Sequence, residues 1–370
     1  MKKLLVLFSV FAFISLYFTN CEKAPKDAEL QEIESTQQLK HYDTDVQIIY
    51  EPIANLKAAS MGVWETLPDI PVKIEGGYGG IVDSLLIITA GLREVGASNA
   101  TYVFDLELNT WSTMTAAPLF SSEGASVTKG GLLYCVGGQS NYLWTYNPLT
   151  DTWNTGLAPM PTRRAGLGVA TVGDSLFAIG GRSLNNGPLT VGTFNPVLDV
   201  VERYDIITDT WVTVAPLPSE RSDLAAVTVG GKIYVFGGCI YDAVEDTTIA
   251  VADVDVYDPN TDTWSTAPDD MPTPRGGMYA VGTKGGTVYV IGGWDGDPTF
   301  NASAGVGTIV EAYKVSQDKW TFDDKFNPMP VARGEACVAS HDGSIYLIAG
   351  GQPGFGNPIN SLLKFSPTKK

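Results

Sequence analysis

Histidine is almost missing from this chain: only His41 and His341 occur in 370 residues. That excludes metal centres and acid–base sites built from several imidazoles. Cysteine is scarce too. Beyond Cys21 there are Cys135, Cys239 and Cys337, an odd set with no CxxC spacing. They read as small buried hydrophobes, with neither a disulfide framework nor a thiolate metal site expected. The sequence calls for no metal and no cofactor, and it has no P-loop, nucleophile elbow or dinucleotide fingerprint. Charge is thin, at 18 % of residues, and unbalanced, since 41 acidic against 24 basic side chains leave −17. No basic tract reverses that field locally, so nucleic acid is not an expected partner. Long apolar runs are lacking except for Leu4 to Phe18, which follows Lys2 and Lys3. That run is too short for a comfortable transmembrane helix and reads as an export signal.

Turn-forming residues are plentiful: 40 Gly and 22 Pro, with many Asn and Asp, alongside 44 % apolar residues. The combination predicts a compact all-β body. Its organisation is repetitive. Trp64, Trp111, Trp153, Trp211, Trp264 and Trp320 are spaced 42 to 58 residues apart. An aromatic stands seven residues before five of them, at Phe104, Tyr146, Tyr204, Tyr257 and Tyr313. A glycine pair precedes four of these aromatics, at 137–138, 180–181, 237–238 and 292–293, and decays to Ala90-Gly91 in the first repeat. Each unit reads as four short strands rich in Val, Ile, Tyr and Phe. The glycine pair supplies backbone angles closed to other residues, and the Trp buries a large surface between neighbouring sheets.

Glycine pair, aromatic and Trp recurring in register resemble the kelch repeat, over about residues 59 to 367. The resemblance implies a six-bladed β-propeller. The last repeat has Arg333 and Gly350-Gly351, then Leu362 to Phe365, but the chain ends before its Trp strand. A strand around Trp64 therefore closes the last blade and leaves no free sheet edge. The segment ending at Cys21 resembles a bacterial lipoprotein signal, which implies lipidation of Cys21, with ordinary secretory cleavage nearby as the alternative. The chain then divides into a signal at 1–20, a polar tether at 21–58, with a short helix considered over Asp27 to Leu39, and the propeller at 59–367. It is expected to be an exported monomer in the periplasm or on the cell surface, touching the membrane only through its lipid.

The candidate site follows from the ring symmetry. Sixteen or seventeen residues before the glycine pairs stand Arg164, Arg221, Arg275 and Arg333, with Lys73 in the first repeat and Ser121 in the second. In kelch propellers this position borders the channel mouth, on the face carrying the loops after the glycine pairs. A cationic rim for carboxylate or phosphate groups is the expectation, with bracing of neighbouring blades as the alternative. Two residues on come Glu75, Glu123, Asp223 and Glu335, with Gly166 and Gly277 in the other repeats. They read either as charge partners of the arginines or as acids and bases acting on a bound ligand. Trp294, outside the repeat-defining positions, is a candidate stacking contact for a sugar or peptide. Two functions fit: a binding module for an acidic glycan, acidic peptide or partner protein, or a sugar-acid mutarotase or epimerase resembling the exported N-acetylneuraminate epimerases.

Overall fold

The computed structural model describes residues 61–138, 140–183, 196–242, 247–267, 269–295, 306–322, 325–352 and 357–367, with the backbone of 37–38 and 51–52. The chain forms two compact units that divide between residues 58 and 59. In the first, Gln37–Gln38 pairs antiparallel with Glu51–Pro52, so part of the segment read as a tether is paired backbone. The signal, Cys21 and the rest of the helix considered over Asp27 to Leu39 lie outside the described residues.

In the second unit, the described residues form six four-stranded antiparallel sheets. Blade I is Tyr78–Val82, Leu85–Thr89, Thr101–Asp105 and Thr110–Met114. Blades II to V repeat this pattern, with innermost strands Ala125–Lys129, Gly168–Val172, Ala225–Val229 and Tyr279–Gly282. Blade VI takes strands from both ends of the ring. Cys337–His341, Ser344–Ile348 and Leu362–Ser366 are completed by Val63–Leu67, which pairs Trp64 with Phe365. The expected closure is therefore the one observed, and no blade is left with an unpaired N-terminal edge. The core lies between blades, where the apolar alternation of each strand meets the next sheet.

The repeat residues hold this ring in a regular way. The indole of each repeat Trp donates to a carbonyl outside its own blade: Trp111 to Pro68, Trp153 to Thr115, Trp211 to Ala158, Trp264 to Ala215, Trp320 to Asp269 and Trp64 to Asn327, at 2.7–3.2 Å. The Trp rings are only half-buried; the aromatics seven residues earlier are the ones fully covered, with Phe104, Tyr146, Tyr204, Tyr257 and Tyr313 at 0–2 % exposure. Four of these are Tyr, and each hydroxyl donates to an Asp in the following hairpin: Asp151, Asp209, Asp262 or Asp318. In blade I the hydroxyl is gone, and so is the Asp: Phe104 is followed by Asn109.

The glycine pair divides into two different requirements. Its first residue has φ of 47–68° and is Ala in blades I and VI, at Ala90 and Ala349. Alanine tolerates this left-handed region at a cost of about 1–2 kcal/mol. The second has φ of 84–103° at Gly91, Gly138, Gly181, Gly238, Gly293 and Gly350. A Cβ there would lie 2.6–2.8 Å from a neighbouring carbonyl oxygen, so glycine is needed on both counts. The pair in blade VI is thus Ala349-Gly350, one residue earlier than the Gly350-Gly351 read from the sequence.

Candidate functional site

Each innermost strand is entered through a short segment at one end of the channel, and in blades III to VI that segment begins with the repeated arginine. Arg164, Arg221, Arg275 and Arg333 are 0–1 % exposed. Arg164 donates to Gly180 O at 3.0 Å and Ala178 O at 2.9 Å and pairs with Glu202 at 2.9 Å. Arg221 reaches Gly237 O, Asp253 O and the Asp255 carboxylate. Arg275 pairs with Glu311 at 3.0 Å, and Arg333 donates to Ala349 O and Ser361 Oγ. Burial pulls the Arg164 guanidinium down to about 10 against the opposing pull of Glu202, and lowers Arg333 to about 10 as well. The cationic rim expected from these four side chains is therefore corrected: their forks are spent inside their own blades, tying the second strand and the glycine pair to the third strand.

The carboxylate partners of three braces were missed in the sequence, although a signal existed. Glu202, Asp255 and Glu311 occupy one register position in the third strand, opposite Ala178, Val235 and Val290. Blades I and II have Ile74 and Ser121 in place of Arg, and there the same register position holds Tyr102 and Trp144. In blade VI the position holds Leu363, opposite Leu347, and Arg333 donates to the Ser361 hydroxyl instead of a carboxylate. Trp144 is core, as its place within a strand implies.

Ile74, not Lys73, is the first-repeat counterpart of the arginines. The second glycine of each preceding blade donates its N–H to Arg164, Arg221, Arg275 and Arg333, and Gly350 donates to Ile74 in the same way. Lys73 points elsewhere, half exposed and 2.7 Å from Glu94. The slip arises because blade V carries an extra residue in its first hairpin, so a spacing of seventeen looked admissible elsewhere.

Two residues beyond the braces the six blades meet in a closed backbone ring. Gly76 donates its N–H to Glu335 O, Glu123 to Gly76 O, Gly166 to Glu123 O, Asp223 to Gly166 O, Gly277 to Asp223 O and Glu335 to Gly277 O, at 2.7–3.2 Å. All six residues have φ of 52–61°. The ring alternates: glycine in blades I, III and V, and Glu123, Asp223 and Glu335 in blades II, IV and VI. The register slip removes Glu75 from it and places Gly76 there, but Glu75 stays close, 5 % exposed, with its carboxylate 2.5 Å from where a Cβ on Gly351 would stand. Below the ring the innermost strands enclose a channel of about 410 Å³, lined by small residues and by Tyr279, Met278 and Cys337.

Arg182, immediately after the blade III glycine pair, was not anticipated. Its Nη1 lies 2.6–2.7 Å from both oxygens of Asp223 and its Nη2 2.7 Å from Glu123. It lies over Gly166, where any Cβ would come within 2.8 Å of it. Burial opposes its charge, but Asp223 and Glu123 outweigh that and hold its pKa above the ordinary value. The equivalent position in blade V is Trp294, which is 8 % exposed and lies against Gly277 and Gly334. The indole packs onto the ring and is not a projecting platform for a ligand. The structure thus gathers Glu75, Glu123, Asp223, Glu335 and Trp294 at one mouth with Arg182, and places the four repeat arginines and Lys73 outside it. Among the described residues no group of three or more His, Cys, Asp or Glu side chains could hold a metal ion.

Glu335 is set apart within this cluster. Desolvation, then the neighbouring charges of Glu123 and Asp223, hold its carboxyl well above the ordinary carboxylate range, with Arg182 opposing. It keeps its proton under conditions in which an exposed glutamate loses it.

The ring, its glycine pairs and its braces agree with what related sequences show. A family model described as the KLHDC2/KLHL20/DRC7 Kelch-repeats domain matches residues 159–351. The chain belongs to the kelch-repeat family. Kelch-like protein terF of Aspergillus terreus is 28 % identical over 246 residues, which cover 65 % of this chain and 51 % of that protein. Kelch-like protein 36 of Bos taurus is 28 % identical over 264 residues, 68 % of this chain and 39 % of that protein. This kelch chain spans about half the length, or less, of these curated relatives. A solved structure titled "Structure of YjhT" matches with a TM-score of 0.62 and 19 % identity, covering 80 % of this chain and 95 % of that one, a likeness of fold. Kelch domains generally mediate protein–protein interaction, and this propeller is consistent with a binding module.

Proposed function

We propose that this kelch propeller is an exported binding module, held at a membrane by a lipid on Cys21, whose channel mouth takes a basic side chain from a partner protein. One observation carries the choice of ligand. Four carboxylates, Glu75, Glu123, Asp223 and Glu335, gather at the mouth, where among the described residues Arg182 pairs with Glu123 and Asp223, in a chain of net charge −17. An anionic ligand loses its support, because the arginines that recommended it are internal. A guanidinium or ammonium group meets a focused negative field there, and Arg182 already demonstrates the geometry of such a contact.

Anisotropy with short labelled peptides bearing Arg, Lys or Glu tests this. Basic peptides are expected to bind, to weaken with salt, and to lose roughly tenfold to a hundredfold in affinity on Glu75→Gln, the worth of one charge-assisted contact. Preferential binding of Glu peptides or sugar acids would overturn it. A second reading, acid–base catalysis on a sugar acid, is favoured by one feature: a protonated carboxyl at Glu335 beside other carboxylates is the arrangement by which enzymes separate an acid from a base. Under that reading Glu335→Gln leaves binding intact and abolishes turnover.

A further inference from the structure

We propose that the channel mouth is a proton-operated site, in which a proton on Glu335 and a basic group from a partner exclude one another. The identity of the ligand rests on the reading above; the proton does not. The geometry is that of opposed charges around one ring. The Glu335 Oε2 lies 3.4 Å from where a Cβ on Gly76 would stand, and Glu123 Cγ lies 3.7 Å from the same point, so the two side chains flank one glycine. Glu335 is faced by Glu123 from blade II, Asp223 from blade IV, Arg182 from the loop after blade III and Glu75 from the entry to blade I. From blade V comes the Tyr279 hydroxyl, which accepts the Ala336 N–H.

Arg182 has two free edges and spends both, one on Asp223 and one on Glu123. Among the described residues no hydrogen bond reaches the Glu335 carboxyl. Its ionisation therefore adds a negative charge opposed by an Arg182 that Asp223 and Glu123 already share. Two events relieve this: Glu335 keeps its proton, or an external cation enters. The first describes the empty protein and the second the occupied one, so binding of a basic group releases a proton. The sign for stability follows. The folded chain holds a proton that the unfolded chain gives up in the ordinary carboxylate range. The contribution of Glu335 is thus complete at acid pH and declines as pH rises toward its folded pKa. The unfolding constant rises by up to tenfold per pH unit within that window, the limit for one proton.

The experiment uses the full-length protein, its Glu335→Gln variant, and argininamide as the probe. Denaturant unfolding of both from pH 4 to 8 gives the difference that isolates Glu335: the variant is expected to gain on the parent as pH rises and to match it at the acid end. Calorimetry of argininamide with the parent in buffers of different ionisation heat is expected to show proton release and tighter binding at higher pH. If the variant does not fold, the carboxyl ¹³C shift of Glu335 in the parent is followed against pH instead. A parent–variant difference that is flat with pH, or a Glu335 carboxyl that titrates in the ordinary range, overturns the proposal. So does probe binding without proton release. If Glu335 titrates high yet argininamide does not bind at any pH, the ligand reading fails and the proton site stands.

Discussion

Replacing Arg164 with alanine separates a brace from a ligand contact. In the native blade the Arg164 guanidinium satisfies the carbonyls of Gly180 and Ala178 and the Glu202 carboxylate, at 0 % exposure. Arg164→Ala leaves Glu202 buried and without its counter-charge, its remaining partner being the Thr162 hydroxyl at 2.7 Å. Removing one member of a buried ion pair costs about 3–5 kcal/mol. The loss of donors to two buried carbonyls pushes the result toward the top of that range. Urea unfolding at neutral pH should show the midpoint falling with an unchanged slope. The double variant Arg164→Met with Glu202→Leu should recover much of the loss, since it removes the orphaned charge and fills the space. Blades I and II, which carry Ile74 and Ser121 at the arginine position and Tyr102 and Trp144 at the carboxylate position, demonstrate that a blade stands without the pair. Affinity for the basic peptides should not change in either variant that folds. A destabilisation below about 1 kcal/mol, or a double variant no better than the single one, would refute the brace.

Two further outcomes are expected. Deleting residues 59–67 removes the strand that pairs Trp64 with Phe365 and uncovers the 0 %-exposed Phe365 ring; at about 1.5–3 kcal/mol per large apolar side chain exposed, cooperative unfolding should be lost, and a monomeric 68–370 fragment with a sharp transition would disprove the closure's importance. Cys21→Ala should release the protein from the membrane fraction or leave it unprocessed, as read by fractionation and mass; unchanged attachment would remove the lipid anchor from the proposal.

Much of the fold was legible because its determinants are local and repeated. The Trp, the aromatic seven residues before it and the second glycine each answer a requirement set within a few residues: a hairpin, a φ near 100°, a strand face. Blade closure was legible as arithmetic, since one repeat lacked its Trp strand and the other end of the chain had one to spare. The register of the first repeat was not legible to the residue. Lys73 and Ile74 are adjacent, the charged one looked like the arginine's counterpart, and only the Gly350 N–H to Ile74 bond decides between them.

The site divides along the same line. Residue identity alone determined that carboxylates stand two places beyond the repeated position at Glu123, Asp223 and Glu335, and that the chain has too few imidazoles and thiols for a centre built from several of them. Whether an arginine faces solvent or its own blade is a question of side-chain direction, which repeat position does not encode. Desolvation is repaid only if carbonyls and a carboxylate surround the guanidinium, and those partners lie 14 to 38 residues away, brought close by strand pairing. Arg182 shows the same limit from the other side. No other repeat has an arginine at its position, and it becomes the cation of the mouth because the packing of adjacent blades brings Glu123 of blade II and Asp223 of blade IV, one on each side, within reach of blade III.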